Sequence, residues 1–445
     1  MNNQFSFTRQ DFPKGFMFGV ATSAYQIEGS SFGGCGPSHW DTFAATPGNT
    51  KNAEHGAIAC DHYNRYEQDI DLIAAAGMDH YRFSVSWARV MPDGINVNQD
   101  GLDFYDRLTD AMLARGIKPM LTMHHWDIPA ALSDVGGWRS PTISDRFADF
   151  TDHVVSRIGD RMWASGTFNE PWCITWLSHF LGIHAPGIRD IRATSRAIHN
   201  LLVSHGKSIA VMRDKGMDNL GIYLNFEPCE PATDSDADKA ASARYHAHYN
   251  DCFLMPLMQG RYPSLVLEAI EPHMPDKWQD DMATIQAPID WLGINNYTRK
   301  LIADDGSGVW PAMKEVEGPL PKTEMNWEIA PDSFEWLLKW VGEQTDGLPL
   351  YITENGMAGP EVKGGDSVDD PWRIDFLEQH IQAMRRAMQA GANVKGYTVW
   401  SLMDNYEWSL GYEKRFGIVH VDYETLERTP KASWHALKAA LASQA

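Results

Sequence analysis

Two glutamates, Glu170 and Glu354, lie where short apolar runs give way to polar residues. Residues 167–171 read Thr-Phe-Asn-Glu-Pro, and proline ends a strand because it has no N–H for the ladder. Residues 350–356 read Leu-Tyr-Ile-Thr-Glu-Asn-Gly and predict a second strand end of the same kind. Two carboxyl groups on two strand ends can cleave a glycosidic bond, with one acting as acid/base and the other as nucleophile.

The elements that must bring these glutamates together alternate between strand and helix. Alternation implies parallel strands with helical crossovers, and eight such units close a (β/α)8 TIM barrel of the α/β class. The longest irregular loops follow strands one, six and eight, on the C-terminal face, and a single domain spans 1–445. Strands are predicted at 16–24, 80–86, 118–125, 162–168, 220–226, 289–295, 350–353 and 394–400. Helices are predicted at 63–76, 102–114, 143–158, 191–215, 237–258, 334–343, 372–390 and 432–442.

Composition narrows the partners that the chain can have. Among 445 residues the formal net charge is −21, which repels nucleic acid and anionic membranes. No run approaches the roughly 18 apolar residues of a membrane span. The five cysteines are odd in number and have no CxxC spacing, and the N-terminus has no apolar signal region, so a cytoplasmic location is predicted. The 17 tryptophans suit either a large aromatic core or the flat faces of sugars.

Polar and aromatic side chains recur at the predicted strand ends. Arg82 can favour the charged form of a neighbouring carboxylate and Tyr297 can donate a hydrogen bond to it, so Glu354 is predicted as the nucleophile and Glu170 as the acid/base. Asn169 is predicted to bind the hydroxyl beside the anomeric carbon. The remaining candidates are Asn295 beside the nucleophile, Gln26, His125 and Glu407 for other hydroxyls, and Trp126, Trp400 and Trp408 for the sugar faces.

A metal centre is not predicted, although His124 and His125 are adjacent. Neighbouring side chains on an extended strand point to opposite faces, so the two imidazoles should not hold one ion. The glycine-rich segment 33–36 lacks the spacing of a phosphate-binding loop.

Taken together, these motifs resemble family 1 glycoside hydrolases from about residue 5 to residue 441. Residues 16–28 resemble the N-terminal signature of that family. Residues 167–171 resemble its acid/base motif, and residues 350–356 resemble its nucleophile motif. Further matches are 81–84, 125–127, 293–295 with Tyr297, 400–408, and 415–418. The last of these contains Phe416, which is predicted to bind the substrate. The resemblance implies a retaining double displacement, no cofactor, the same two glutamate roles and a cis peptide at Trp400–Ser401. It also implies a leaving-group site at Trp327, with Cys173, Asn225 and His184 at the same entrance.

Within that family, Glu407 bears on the substrate. Members that cleave 6-phosphorylated sugars lack this glutamate, and a carboxylate repels a phosphate dianion, so unphosphorylated β-glucosides are predicted. Galactosides and fucosides are plausible second substrates. Myrosinase-like members carry glutamine at the acid/base position, where this chain has Glu170. Two alternatives stay open, a non-catalytic carbohydrate-binding protein and an enzyme that transfers the glycosyl group to a sugar or alcohol. The sequence makes no prediction of the oligomeric state.

One departure concerns the fourth strand, where residues 163–167 are smaller than the bulky apolar run expected there. We expect looser local packing at this strand.

Overall fold

A computed structural model describes residues 3–364 and 367–442. Eight parallel strands form a closed barrel whose neighbour order follows the chain, and the first strand pairs with both the second and the eighth. The predicted TIM barrel is therefore confirmed. The strands are β1 Met17–Ala21, β2 His80–Ser84, β3 Lys118–His124, β4 Ala164–Asn169, β5 Leu220–Asn225, β6 Trp291–Asn295, β7 Leu350–Asn355 and β8 Val394–Trp400.

A crossover helix follows every strand. Glycines at positive φ end the first two helices, Gly77 at 74° and Gly116 at 73°, as their left-handed conformation requires. The helices are α1 His62–Ala75, α2 Gln99–Ala114, α3 Ile143–Ile158, α4 Ile191–Asp214, α5 Asp236–His246, α6 Pro331–Gln344, α7 Pro371–Gln389 and α8 Ala432–Leu441. Shorter α-helices are Ala24–Ile27, His39–Ala44, Trp87–Val90, Ala130–Asp134, Cys252–Gln259, Ser264–Ile270 and Met282–Ile285.

Two π-helical segments depart from the predicted pattern. Cys173–Phe180 directly follows the motif at 167–171, where no helix was predicted. Ala247–Asp251 interrupts the helix predicted at 237–258, so that this stretch consists of α5, a π-helical turn and Cys252–Gln259.

The expectation of loose packing at β4 was wrong. All six residues of β4 are buried, and a Cβ atom added at Gly166 would lie 2.3 Å from a ring carbon of Tyr223. The Tyr223 hydroxyl donates to the Leu121 carbonyl at 2.7 Å, and the guanidinium carbon of Arg82 lies 4.3 Å from the centre of its ring. The small residues of β4 therefore make room for a large aromatic ring from β5.

The stretch predicted as a long irregular loop between β6 and α6 contains regular structure. Lys300–Ala303 and Lys314–Val316 pair with each other, and the first also pairs with Cys229–Pro231 to make a three-stranded sheet. These strands have three or four residues each, too short to give a clear alternation of apolar and polar residues. Two further antiparallel strand pairs are Val362–Gly364 with Ser367–Asp369 and Val419–Val421 with Arg428–Pro430.

Two findings bear on the predicted cellular context. No helix in the described part of the chain is both long enough and apolar enough to cross a membrane. All five cysteines are free thiols.

Candidate active site

The carboxyl ends of the barrel strands surround a cavity of about 440 Å³. Glu170 directly follows β4, Asn295 is the last residue of β6, Glu354 lies near the end of β7 and Trp400 ends β8. Fourteen of the predicted site residues line this one cavity, namely His125, Trp126, Glu170, Cys173, His184, Asn225, Asn295, Tyr297, Trp327, Glu354, Trp400, Glu407, Trp408 and Phe416. The other three, Gln26, Arg82 and Asn169, are fully buried and contact the lining residues Glu407, Glu354 and His125, respectively.

A larger cavity of about 1210 Å³ lies elsewhere, at the beginnings of α6 and α7. Half-exposed Trp336 and Trp372 line it. No residue of a barrel strand and neither predicted catalytic glutamate belongs to its lining. The chemistry predicted from the sequence therefore belongs to the smaller cavity.

Both oxygens of the Glu354 carboxyl group have strong donors. The Nη1 and Nη2 atoms of Arg82 each donate to Oε1 at 2.8 Å, and the Tyr297 hydroxyl donates to Oε2 at 2.6 Å. The guanidinium is fully buried, so little solvent screens this ion pair. Burial and the nearby carboxylates raise the pKa of Tyr297 well above its usual range, which keeps the phenol protonated as a donor. The predicted contacts of Arg82 and Tyr297 with one carboxylate are present.

A directed chain of hydrogen bonds links Glu354 to Glu170. Arg82 can only donate, so the atom of Asn169 that lies 2.7 Å from its Nη2 must be the amide oxygen Oδ1. The same Oδ1 lies 2.9 Å from Asn295, which therefore presents its Nδ2. That Nδ2 donates onward to Oε1 of Glu170 at 2.8 Å. The guanidinium thus fixes the orientation of both amides.

The same chain fixes the protonation of His125. With Oδ1 of Asn169 facing Arg82, its Nδ2 faces Nε2 of His125 at 3.1 Å, and that ring nitrogen must accept. Burial lowers the pKa of His125 well below its usual value, and Arg82 acts in the same direction, so the ring is neutral with its hydrogen on Nδ1. Nδ1 is buried and has no partner among the described residues, which leaves this N–H for a ligand.

His124 points away from this network. Its ring lies 5.1 to 6.0 Å from the rings of Trp138, Phe147 and Phe168, whereas the His125 ring stacks on Trp400 at 5.6 Å. The two histidines therefore face opposite sides of the strand, as the sequence predicts.

Burial raises the pKa of both catalytic candidates. At Glu170 the hydrogen bonds from Asn295 and Cys173 oppose this effect, and at Glu354 the opposing groups are Arg82 and Tyr297. The sequence predicted that Arg82 favours ionised Glu354. Arg82 does act in that direction, but burial is the larger effect. Because each carboxylate also disfavours the charge of the other, the pair retains one proton more readily than two separate carboxyl groups would. The carboxyl group in contact with the guanidinium is the one better able to stay ionised, so we assign that proton to Glu170.

Gln26 and Glu407 meet at another side of the cavity. Gln26 lies in the short helix Ala24–Ile27, and its Nε2 donates to Asn405 Oδ1 at 2.9 Å and to the Tyr406 carbonyl at 2.8 Å. The same nitrogen lies 3.5 Å from Glu407 Oε2. Burial raises the pKa of Glu407 to about 8, with the charge of Glu170 adding to the effect. Gln26 thus holds the segment that presents Glu407.

Aromatic rings form two walls of the cavity. On one wall, the Trp126 and Trp408 rings lie 4.6 Å apart and the His184 ring lies 5.2 Å from Trp126. On the other, the Trp327 ring lies 5.4 Å from Tyr297 and 6.2 Å from Phe416. A flat, neutral ring can be held between such faces by apolar contact.

Three site residues have a left-handed backbone that non-glycine residues rarely adopt. The φ angles are 85° at Trp126, 51° at Glu170 and 53° at Trp408. Each such residue costs about 1–3 kcal/mol, and such positions cluster at functional sites. The peptide bond between Trp400 and Ser401 is cis, as the family resemblance implies.

Among the polar cavity residues that sequence reasoning missed are Glu227, Tyr245, Lys300 and Glu315. The Tyr245 hydroxyl donates to Glu227, and Lys300 pairs with Glu315 at 2.6 Å. Glu227 lies two residues beyond β5, so the strand-end argument could have found it. The others come from α5 and the three-stranded sheet, for which the sequence carried no site signal.

Comparison with known proteins agrees with this geometry. The model of glycosyl hydrolase family 1 matches residues 8–444. The chain is 46% identical over 433 residues to "Beta-glucosidase A" of Thermotoga maritima, covering 96% of this chain and 97% of the relative. It is 45% identical over 434 residues to "1,4-beta-D-glucan glucohydrolase" of Thermotoga neapolitana, covering 96% and 97%.

The solved structures give the same result. "Beta-glucosidase from Thermotoga maritima in complex with cyclophellitol" superposes with a TM-score of 0.92 at 45% identity, covering 96% of this chain and 98% of that one. A match of this extent covers nearly the whole chain. The chain therefore belongs to glycosyl hydrolase family 1 and is a glycoside hydrolase.

Proposed function

We propose that the chain is a retaining β-glucosidase that removes terminal, unphosphorylated β-D-glucosyl residues from short oligosaccharides and from aryl or alkyl glycosides. The observation that carries this proposal is the unequal setting of two glutamates in one cavity. Glu354 is in direct contact with the Arg82 guanidinium, whereas the side-chain donors to Glu170 are the neutral Asn295 and Cys173. Such a pair can supply one ionised nucleophile and one protonated acid.

In the first step, a carboxylate oxygen of Glu354 attacks the anomeric carbon and the bond to the leaving oxygen breaks. Glu170 gives its proton to that oxygen, so the leaving group departs as an alcohol. The product is a glycosyl ester of Glu354. We assign Asn169 to the hydroxyl beside the anomeric carbon, where contacts strengthen at the transition state.

In the second step, Glu170 is the base. It takes a proton from water, the oxygen of which attacks the anomeric carbon and releases Glu354 with net retention. A sugar or alcohol in place of that water gives transglycosylation. The aromatic wall of Trp327 and Phe416 supports this second outcome because it offers an apolar face to an acceptor.

The protein groups that we assign to binding of the glucosyl unit suit a neutral sugar. His125 offers an N–H and Glu407 offers a carboxyl group, with Trp400 and Trp408 supplying aromatic faces. A 6-phosphate would bring its negative charge into a cavity that already contains Glu170, Glu354 and Glu407. The names of the relatives, a β-glucosidase and a 1,4-β-D-glucan glucohydrolase, support the same substrate class. β-Galactosides and β-fucosides are proposed as second substrates.

A non-catalytic carbohydrate-binding role is the other candidate, and both carboxyl groups in one cavity disfavour it. We further propose that residues 1–445 make one catalytic domain without a cofactor. The free thiols support a reducing, cytoplasmic setting.

A panel of aryl β-glycosides with and without a 6-phosphate tests the proposal, with proton NMR to identify the first-formed anomer. We expect turnover of the β-glucoside, little turnover of its 6-phosphate and a β-anomer that only later mutarotates. Turnover of the phosphorylated compounds alone would refute the substrate assignment, and a first-formed α-anomer would refute retention.

The pH dependence of kcat/KM tests the assignment of the proton. Activity should fall at low pH as Glu354 gains a proton and at high pH as Glu170 loses its proton. Because burial raises the pKa of Glu170, the alkaline limb should lie well above the usual range of a carboxyl group. A Glu170→Gln variant has no proton to lose there, so its residual activity on an activated aryl glucoside should lack that limb.

A further inference from the structure

Glu170 has two oxygens, and only one of them has a partner that can also accept a hydrogen bond. Oε1 lies 2.8 Å from Asn295 Nδ2, and Oε2 lies 3.0 Å from the sulfur of Cys173. Glu170 is 6% exposed, so few water molecules can reach its carboxyl group. Which oxygen carries the proton decides which one faces the leaving group.

The donor chain that starts at Arg82 disfavours a proton on Oε1. Both hydrogens of Asn295 Nδ2 are used, one toward Asn169 Oδ1 and one toward Oε1 of Glu170. A proton on Oε1 would make this oxygen a hydroxyl, which accepts from the Asn295 N–H more weakly than a carbonyl or carboxylate oxygen does. Reversing the Asn295 amide would bring its oxygen against Asn169 Oδ1, so that two acceptors would face each other. Asn169 cannot turn to avoid this, because Arg82 holds its Oδ1 in place.

Cys173 is suited to the other oxygen in both protonation states. Burial and the adjacent Glu170 raise the pKa of this thiol well above its usual range, so it stays S–H. A thiol is a weak donor and its sulfur a weak acceptor. Asn225 Nδ2 also donates to the sulfur, at 3.8 Å. Because this contact uses the sulfur as an acceptor, the S–H remains free to point at Glu170. No amide or guanidinium N–H could exchange roles in this way.

We propose that Cys173 is a positioning residue that keeps the catalytic proton on Oε2 of Glu170. Its S–H donates to Oε2 when Glu170 is a carboxylate, and its sulfur accepts from Oε2–H when Glu170 is an acid. This inference rests on the proposed function, since it concerns the acid/base of that reaction.

The proton can be followed through both steps. In the resting enzyme, Oε2–H donates to the sulfur. When the glycosidic bond breaks, this proton passes to the leaving oxygen, and the thiol rotates so that its S–H donates to the new carboxylate. In the second step Oε2 takes a proton from water, the S–H turns away, and the sulfur accepts again. No proton leaves Cys173 at any stage, and no oxidant or reductant is required.

Two substitutions separate this role from simple packing. Cys173→Val keeps an apolar side chain of similar size but removes both hydrogen-bonding functions, whereas Cys173→Ser keeps a donor and an acceptor. The S–H bond to the charged form is the stronger of the two contacts, so its loss raises the pKa of Glu170. The alkaline limb of kcat/KM should therefore move up by about half a pH unit in Cys173→Val and should not move up in Cys173→Ser.

Rates on an unactivated disaccharide complete this test. Cys173→Val should lose about 3- to 10-fold in kcat on cellobiose, as expected for one lost weak hydrogen bond, and Cys173→Ser should recover most of it. Thermal melting of each variant identifies any that does not fold. An unchanged alkaline limb in a folded Cys173→Val protein would overturn the proposal, as would equal losses in the valine and serine variants.

Infrared spectroscopy gives a readout that needs no turnover. The S–H stretch of Cys173, identified by its absence in Cys173→Ser, should shift to lower frequency as Glu170 ionises and should stay fixed in Glu170→Gln. A band that does not respond to pH in the wild-type protein would refute the role of the thiol. If the wild-type protein cleaved no β-glucoside, the proposed function would fail while this spectrum still decided the question of the thiol.

Discussion

The floor and the rim of the cavity are built in different ways. On the floor, Arg82, Asn169 and Asn295 come from barrel strands and are fully buried. On the rim, Lys300 and Glu315 come from the small sheet, and the Glu315 side chain is 54% exposed. A floor that is fixed by a donor chain can define the geometry of a reaction, whereas an exposed rim can define only what enters.

The electrostatics of the two regions differ in the same sense. The Arg82–Glu354 pair is fully desolvated, so removing one partner leaves a buried charge without compensation. In the Lys300–Glu315 pair the Glu315 carboxylate is open to solvent, and pairs that solvent screens contribute about 0–1 kcal/mol. Substitutions on the floor should therefore affect the chemical steps, and substitutions on the rim should mainly affect binding of the leaving group.

The largest effect is expected for Glu354→Ala. Without the nucleophile, kcat should fall on the order of 10⁴-fold or more for every substrate. Steady-state kinetics on an aryl β-glucoside measures the loss. Azide should restore turnover and give the α-glycosyl azide, because the small anion attacks from the face that the carboxylate vacated. Glu354→Gln, which keeps the shape of the side chain, is the matched control for folding. A β-glycosyl azide from Glu354→Ala would mean that the two glutamate roles are exchanged.

A smaller and more selective effect is expected for Glu170→Ala. Loss of the general acid should reduce kcat/KM on cellobiose by about 10²–10⁴-fold. An aryl glucoside with a good leaving group needs no proton in the first step, so its glycosylation rate should be largely spared. Pre-steady-state kinetics separates the two steps, and here azide should give the β-glycosyl azide. Cellobiose cleaved at the wild-type rate would rule out this role for Glu170.

A third variant tests the floor through packing alone. Gly166→Ala puts a Cβ atom 2.3 Å from the Tyr223 ring, which is held by the Leu121 carbonyl and by Arg82. Overpacking of this kind costs about 1–3 kcal/mol, measured as a lower midpoint of chemical unfolding. Gly342→Ala, where an added Cβ meets nothing within 4 Å, is the matched control. Equal stability of the two variants would show that the floor is less rigid than the donor chain implies.

The floor and the rim also differ in how well the sequence predicts them. The floor was predictable because strand ends are marked by abrupt changes from apolar to polar residues, as at Asn169 and Glu354. The rim was not, because Lys300 and Glu315 lie in strands of three or four residues whose pairing depends on distant segments. The prediction of loose packing at β4 failed for a related reason. The volume that Gly166 leaves open is filled by Tyr223, which is more than fifty residues away in the chain.

The smallest effect is expected on the rim, for Glu227→Gln. The side chain lines the cavity, and Tyr245 donates to it, so the variant removes charge but retains shape and the accepting oxygen. Burial raises the pKa of Glu227, and Lys300 opposes this effect. Glu227 lines the cavity close enough to the rim residues Lys300 and Glu315 for their charges to act on it, so we assign it to the leaving-group end of the cavity. KM for cellobiose should therefore change by about 2- to 10-fold, the equivalent of one hydrogen bond. KM for a small alkyl glucoside should change less, since its leaving group does not reach the rim.

Comparing kcat for the two substrates sharpens this last prediction. A substitution that acts only on the rim leaves the chemical step of the small glucoside intact, so kcat for that substrate should stay within about twofold of wild type. Lys300→Gln offers the opposite change of charge at the same wall and should shift KM for the disaccharide alone. If either variant lowered kcat for the small glucoside as strongly as Glu170→Ala lowers kcat for cellobiose, the rim would be part of the reaction centre. The division between a floor that does chemistry and a rim that selects leaving groups would then be wrong.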